Sequence, residues 1–437
     1  MNRPPQPGAR SIAQLALPAL GVLAAEPLYL LFDTAIIGRL GALSLAGLAI
    51  GGLILGMVGS QLTFLSYGTT ARSARFFGAE DRAAAVREGV QATWLALGLG
   101  ALIVAVVQVA AVPLVSIIAG SRDIANTALS WLRIAIVGAP AILVSLAGNG
   151  WLRGVQDTVR PLRYVVAGFG LSALLCPLLV YGWLGLPHLG LAGSAVANLA
   201  GQWLAAVLFG WALLVERVPL RIDRIALRAQ VVLGRDLVVR TLAFQACFVS
   251  AAAVAARFGA AALAAHQVVL QLWSFLALVL DSLAIAAQAL VGAALGADDV
   301  PRATATARRV TVTSVIAATG LAAVFAAGAR VLPALFTDDS SVLAAIRIPW
   351  WFLVAQLPFA GVVFALDGVL LGAGDAAFMR TATVIGALAG FLPLVWLSLV
   401  CDWGLAGIWS GLSMFIVLRM ILVGWRAVSG RWAVTGA

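Results

Sequence analysis

Four carboxylic acids, Glu26, Asp33, Asp281 and Asp367, lie inside or beside long apolar runs of the chain. A carboxyl group in a bilayer interior is costly unless neutral, paired or hydrated, so each is a functional candidate. Glu26 and Asp33 are seven residues apart. On a helix, two turns put them on one face, about 10 Å apart along the axis. Two acids on one apolar face suit proton carriage. The alternative for Asp33, six residues before Arg39, is a helix cap near the interface. Asn149, Asn198 and Gln202 supply amides that can hydrogen-bond Asp33, or else make interhelical contacts worth about 0.6–2 kcal/mol. Asp367 reads as a second ion or substrate group, or as the cap of its run. Asp281 lies about 22 Å from His266 if both share one helix, so a partner on another helix suits it better.

Other side chains fit a substrate cavity. Trp273, Phe275, Phe64 and Tyr67 offer aromatic faces to cations, and Gln267 a polar contact. The competing reading of each aromatic is contact with lipid or with a neighbouring helix. Pro18 and Pro27 remove backbone donors from the first apolar run and are candidate hinges, or static kinks. No metal site or disulfide is expected. Cys176, Cys247 and Cys401 lie far apart, and His188 and His266 have no ligand-spaced partner.

These residues need a membrane to hold them. The 437 residues are 62% hydrophobic and 11% charged, against about 45–50% and about 25% for soluble domains. An all-α integral membrane protein follows, and a soluble enzyme or a disordered chain is excluded. Twelve spans of about 20 residues or more read roughly as 13–38, 44–71, 88–112, 124–147, 160–181, 190–215, 231–256, 262–291, 309–332, 343–366, 378–400 and 404–426. The first run is too long for a signal-peptide core and is read as a retained helix. The 28 basic residues are all Arg and sit in short gaps between runs. That pattern marks topology and not nucleic-acid binding. With both termini cytoplasmic, 22 arginines fall inside and six outside, counting Arg3 and Arg419 with the termini. The expected location is the cell inner membrane.

The halves repeat at an offset of 218 residues, as in RLGA (39–42) and RFGA (257–260), or GAED (78–81) and GADD (296–299). Pro140 falls on Pro358, and LGLAG (189–193) matches WGLAG (403–407) at a slipped offset of 214. Asp157, in the loop GVQD, reads as a helix cap. The division is into a six-helix bundle at 1–215, a linker at 216–230 and a second six-helix bundle at 231–437. A parallel repeat of this kind suits alternating access. No GxxxxGK[ST] appears, so an ion gradient is the expected energy source.

At LALPAL (15–20), FDTAIIGRLGA (32–42), RFFGAEDR (75–82), GNGWLRGVQDT (148–158), GLAGSAVAN (190–198), AAHQVVLQLW (264–273) and LDSLAIAAQALVGAALGADD (280–299), the chain resembles the multidrug and toxic compound extrusion family. Within it, the DNA-damage-inducible F-like branch is the most similar. The resemblance spans nearly the whole chain. It implies two pseudo-symmetric six-helix bundles forming a V around a central cavity. It also implies export of amphipathic or cationic compounds in exchange for protons or sodium, with Asp33 binding the coupling ion. Many members place an Asn and an Asp four residues apart on the fifth span, just before a Pro. Here these positions hold Ser172 and Cys176, followed by Pro177. A hydroxyl and a thiol in their place favour protons over sodium. Some branches carry a Glu on the seventh span, where this chain offers Gln245 and Arg240. No other cofactor is implied, membrane lipids are the surroundings, and a monomer is expected. A lipid-linked precursor flippase is the competing function, disfavoured because the embedded charges read as mainly acidic. A membrane enzyme lacks an HExxH or GxSxG constellation, and a channel suits two bundles less well.

Overall fold

The computed structural model describes residues 8–436, so Arg3 lies outside the described residues. Fifteen α-helices follow one another: α1 (Ala9–Gly38), α2 (Ala42–Gln61), α3 (Phe64–Gly78), α4 (Arg82–Ile118), α5 (Arg122–Ala135), α6 (Ala139–Gly154), α7 (Val159–Tyr181), α8 (Leu191–Val215), α9 (Arg224–Arg257), α10 (Ala260–Gly296), α11 (Val300–Ala327), α12 (Ser340–Gly372), α13 (Ala376–Ile385), α14 (Leu392–Val400) and α15 (Gly404–Val428). Joined across short breaks, they make twelve helices long and apolar enough to cross a membrane. Three spans are interrupted: α2–α3 at Leu62–Thr63, α5–α6 by a 3-10 turn, and α13–α14 by a π-helical turn, Gly386–Phe391. Both Pro18 and Pro27 lie inside the single helix α1.

The internal repeat is written in the backbone. Left-handed φ values recur at the same offset of 218: Gly41 and Gly259, Glu80 and Asp298, Gln156 and Gly374, Leu184 and Asp402. Gly190 and Gly404 follow the slipped offset of 214. Caps repeat too. Asp81 accepts from the Ala84 amide to start α4, and its counterpart Asp299 accepts from Arg302 to start α11. Such caps satisfy amides that a helix start leaves open. Asp157 likewise accepts from the Arg160 amide at the start of α7, as its position in the loop implies.

Packing divides the chain into two compact units that depart from the bundle boundaries read in the sequence. One unit runs from Pro18 to Gly234; the other holds Arg235 onward with the described residues up to Leu17. The linker is shorter than 216–230, because α9 begins at Arg224. Nor is it loose. Gln91 on α4 donates to the Arg221 carbonyl and accepts from the Asp223 amide, and Trp94 donates to the Leu220 carbonyl. The first turns of α9 stay with the same unit: Gln230 donates to the Glu88 carboxylate, and Gly234 lies against the Phe64 ring. Polarity misplaced the helix start, since Arg224 and Arg228 are charged yet helical.

Each unit has its own apolar core. In the unit from Pro18 to Gly234, one cluster surrounds Trp131, Ile136 and Cys176, and another surrounds Trp151, Phe209 and Val86. In the other, Trp350, Trp409, Leu276 and Phe391 anchor the core. Close helix approach relies on small residues. Gly201 on α8 is such a site: a Cβ there would strike the Ser172 hydroxyl and the Gly168 carbonyl of α7. We predict that Gly201→Val destabilises the protein by about 1–3 kcal/mol through overpacking. Thermal unfolding in detergent reads this, and an unchanged midpoint would refute the close fit.

Candidate functional site

Helix α1 carries Asp33 into the core of its unit, where the residue is only 1% exposed. Two neighbouring helices meet it there. Ser194, at the start of α8, donates to Oδ2 at 2.9 Å, and Cys176, on α7, donates to Oδ1 at 3.3 Å. Ser194 in turn accepts from the Trp131 indole of α5 at 3.3 Å. One turn before Asp33 on α1 lies Tyr29, stacked on Phe169 with ring centroids 5.3 Å apart. One turn before Cys176 lies Ser172, and both Tyr29 and Ser172 are buried. Tyr181 fastens the end of α1 by donating to the Ile36 carbonyl at 3.0 Å. Asp33 has no ion-pair partner among the described residues, so its neighbours are neutral donors.

This arrangement changes the partner list read from the sequence. Asn149, Asn198 and Gln202 do not bond Asp33. Ser194 precedes Asn198 by one turn of α8, and it is the Ser194 turn that reaches the level of the carboxylate. Asn149 sits on α6, whose Gly150 faces Ser66 and Thr69 of α3, and its Oδ1 is buried without a hydrogen-bond partner. Gln202 is half-buried. Glu26 keeps the helical spacing but not the enclosure: it is exposed, whereas Asp33 is buried. The helix-cap reading of Asp33 fails, since its bonds go to other helices. Ser194 and Trp131 were missed. Ser194 stands inside GLAGSAVAN, but only the fold shows that it faces α1.

The candidate cavity residues scatter. Phe64 packs against Gly234, and Trp273 sits in an apolar core 6.5 Å from the Phe364 ring. Both are buried, so both serve as packing. Phe275 is 60% exposed, Gln267 is exposed, and Tyr67 and Asp281 are half-buried. His266 is buried with both ring nitrogens unpartnered, 6.0 Å from the Trp409 ring, so it is not the partner of Asp281.

Asp367, on α12, corrects the sequence reading most. It does not cap its run but lies inside α12, paired with two arginines. Arg419 of α15 places Nη2 at 2.7 Å from Oδ1 and 2.6 Å from Oδ2, and Arg240 of α9 places Nη2 at 2.8 Å from Oδ2. Arg419 is 4% exposed, so it is not a terminal surface charge. Its place well inside the last apolar run was the available signal. This embedded cluster holds two arginines and one acid, so the embedded charges are not confined to acids.

A duplicated twelve-span helical chain with ionisable clusters buried in both units defines a polytopic membrane protein of the transporter class. The MatE family profile matches residues 18–178 and 237–396, one copy in each half. The chain belongs to the multidrug and toxic compound extrusion family. It is 33% identical to DNA damage-inducible protein F of Escherichia coli (strain K12), over 94% of this chain and 90% of that one. It is 32% identical to Protein DETOXIFICATION 44, chloroplastic, of Arabidopsis thaliana, over 97% and 83% respectively. The fold superposes on a crystal structure of MATE in the bent conformation with a TM-score of 0.86, at 22% identity over 97% and 95% of the two chains. An outward-facing conformation of a multidrug resistance MATE family transporter matches with a TM-score of 0.83, at 22% identity over 96% and 95%. The protein is thus a multi-pass membrane transporter of a drug and toxic-compound efflux family.

Proposed function

We propose that the protein is a secondary antiporter, exporting amphipathic or cationic compounds by alternating access in exchange for protons, with Asp33 as the proton carrier. The supporting observation is the enclosure of Asp33 by a thiol and an indole-bonded serine hydroxyl, without a basic partner among the described residues. A carboxyl group so placed can take up a proton without first breaking an ion pair. A hard cation asks for several oxygen ligands. Beside the carboxylate, Cys176 offers sulfur, and the Ser194 oxygen already serves Trp131. Protons therefore suit the site better than sodium. Pro18 and Pro27 are proposed to let α1 bend as Asp33 changes protonation. Both termini are proposed to be cytoplasmic, from the distribution of Arg.

The test uses purified protein in vesicles with an imposed pH gradient and no sodium, following movement of a fluorescent cationic dye. Dye movement driven by the pH gradient supports the reading. Movement that requires a sodium gradient overturns it. Ser194 provides a second test. Ser194→Ala removes one donor from Asp33 and the acceptor from Trp131, so stability should fall by about 1–3 kcal/mol. Proton-driven dye movement should slow as well. A variant matching the native protein in both melting and transport would remove Ser194 from the account.

A further inference from the structure

The Arg240–Asp367–Arg419 cluster is short of negative charge. Two guanidinium groups share one carboxylate, with all three contacts between 2.6 and 2.8 Å. Nε of Arg240 and Nε of Arg419 are both buried and without a hydrogen-bond partner. The two acids nearest along α9 and just past α12 are already engaged. Asp236, one turn earlier on α9, is already shared by Arg235 and Arg380, and Asp375 is held by Arg426. A buried charge without compensation is costly, and an anion is the direct remedy.

The surroundings specify what kind of anion. The Arg240 and Arg419 guanidinium carbons lie 5.4 and 5.3 Å from the Phe244 ring centre, and that of Arg419 lies 5.6 Å from Phe415. Phe244, Phe248, Phe391 and Phe415 form a continuous aromatic wall, with successive ring centres 5.4 to 6.5 Å apart. The π-helical turn Gly386–Phe391 delivers Phe391 to this wall, and its Gly386 lies against Phe415 and Arg419. Such turns are frequent at functional sites. The Arg240 side chain is 17% exposed, so the cluster is not sealed.

We infer that Arg240 and Arg419 form a binding site for an amphipathic carboxylate, whose anionic head exchanges with Asp367 on the guanidinium groups and whose apolar body rests on the half-buried Phe244, with the buried Phe415 behind it. The inference rests on the reading of the chain as a transporter and adds a ligand class of opposite charge. Asp367 acts as a resident counterion that holds the arginines in place when the site is empty.

The test measures binding of 1-naphthoate to the full-length protein in an uncharged detergent, with the neutral 1-naphthalenemethanol as control. Naphthoate should bind about tenfold more tightly than the alcohol. Arg240→Gln keeps the Asp367–Arg419 pair but removes the surplus charge, and should weaken naphthoate about tenfold. Asp367→Asn removes the competing carboxylate and should strengthen it by a similar factor. Equal affinity for acid and alcohol, or shifts of the same sign in both variants, would overturn the site. If Asp367→Asn does not fold, the Arg240→Gln comparison decides alone. Movement of a cationic dye by the native protein in vesicles is scored separately. Dye movement without naphthoate selectivity sinks this site and leaves the transport reading; naphthoate selectivity without dye movement does the reverse.

Discussion

Asp33→Asn abolishes proton-driven dye movement while leaving the protein folded. The substitution is isosteric. An amide oxygen can still accept from Ser194 at the position where Oδ2 now does, at 2.9 Å. The change removes the ability to gain and lose a proton, not the packing. Transport should fall by roughly two orders of magnitude, the scale on which loss of a positioned proton-transfer group acts. The melting temperature should move by only a few degrees, a shift of about 1 kcal/mol or less. Vesicle transport and thermal unfolding of the same preparation check the two halves of this expectation. Retained proton-driven transport would show that the coupling proton binds elsewhere, with Glu26 next in line as an acid on the same helix. Loss of transport accompanied by unfolding would instead make Asp33 a structural residue.

The second large effect is on stability. Asp367→Ala leaves two buried guanidinium groups facing each other without their counterion. Breaking a buried pair by removing one partner costs about 3–5 kcal/mol, because the remaining charge stays desolvated. Here two charges remain, and Arg419 is 4% exposed. The variant should melt well below the native protein. The triple variant Asp367→Ala, Arg240→Met and Arg419→Met should recover most of that loss, since an apolar replacement of a whole buried ionic cluster is often neutral or stabilising. The contrast separates two roles. If the triple variant melts like the native protein, the cluster is not there for stability, and its charges belong to ligand binding. A triple variant as unstable as the single one would make the cluster a structural strut.

Much of the fold is legible in the sequence. Long apolar runs identify helices because a bilayer forces every backbone amide to bond internally. The repeat was legible because left-handed turn positions such as Glu80 and Asp298, and capping aspartates such as Asp81 and Asp299, keep their spacing. Asp33 stood out because a carboxylate in an apolar run is conspicuous. What surrounds it did not. Ser194 and Cys176 are small, and their relevance depends on how α7 and α8 rotate about their axes, which a single sequence does not fix. Amides are more conspicuous than a serine, so Asn149, Asn198 and Gln202 read as candidates for its role or for interhelical contacts, and Ser194 did not. Arg419 was hidden for the opposite reason. A charge near the chain end reads as a topology signal, although its distance from the start of α15 puts it inside the span. The start of α9 was obscured by Arg224 and Arg228, whose polarity resembles a loop but whose backbone is helical.

The most direct test of proton antiport needs no gradient. If compound and proton compete for the protein, adding a cationic substrate to the purified native protein in weakly buffered detergent solution should release protons. Asp33→Asn should release none under the same conditions. Release from the native protein, absent in the variant and unaffected by sodium, is the predicted result. No proton release from a native preparation that binds the compound, with binding displaced by sodium instead, would contradict the account at its centre.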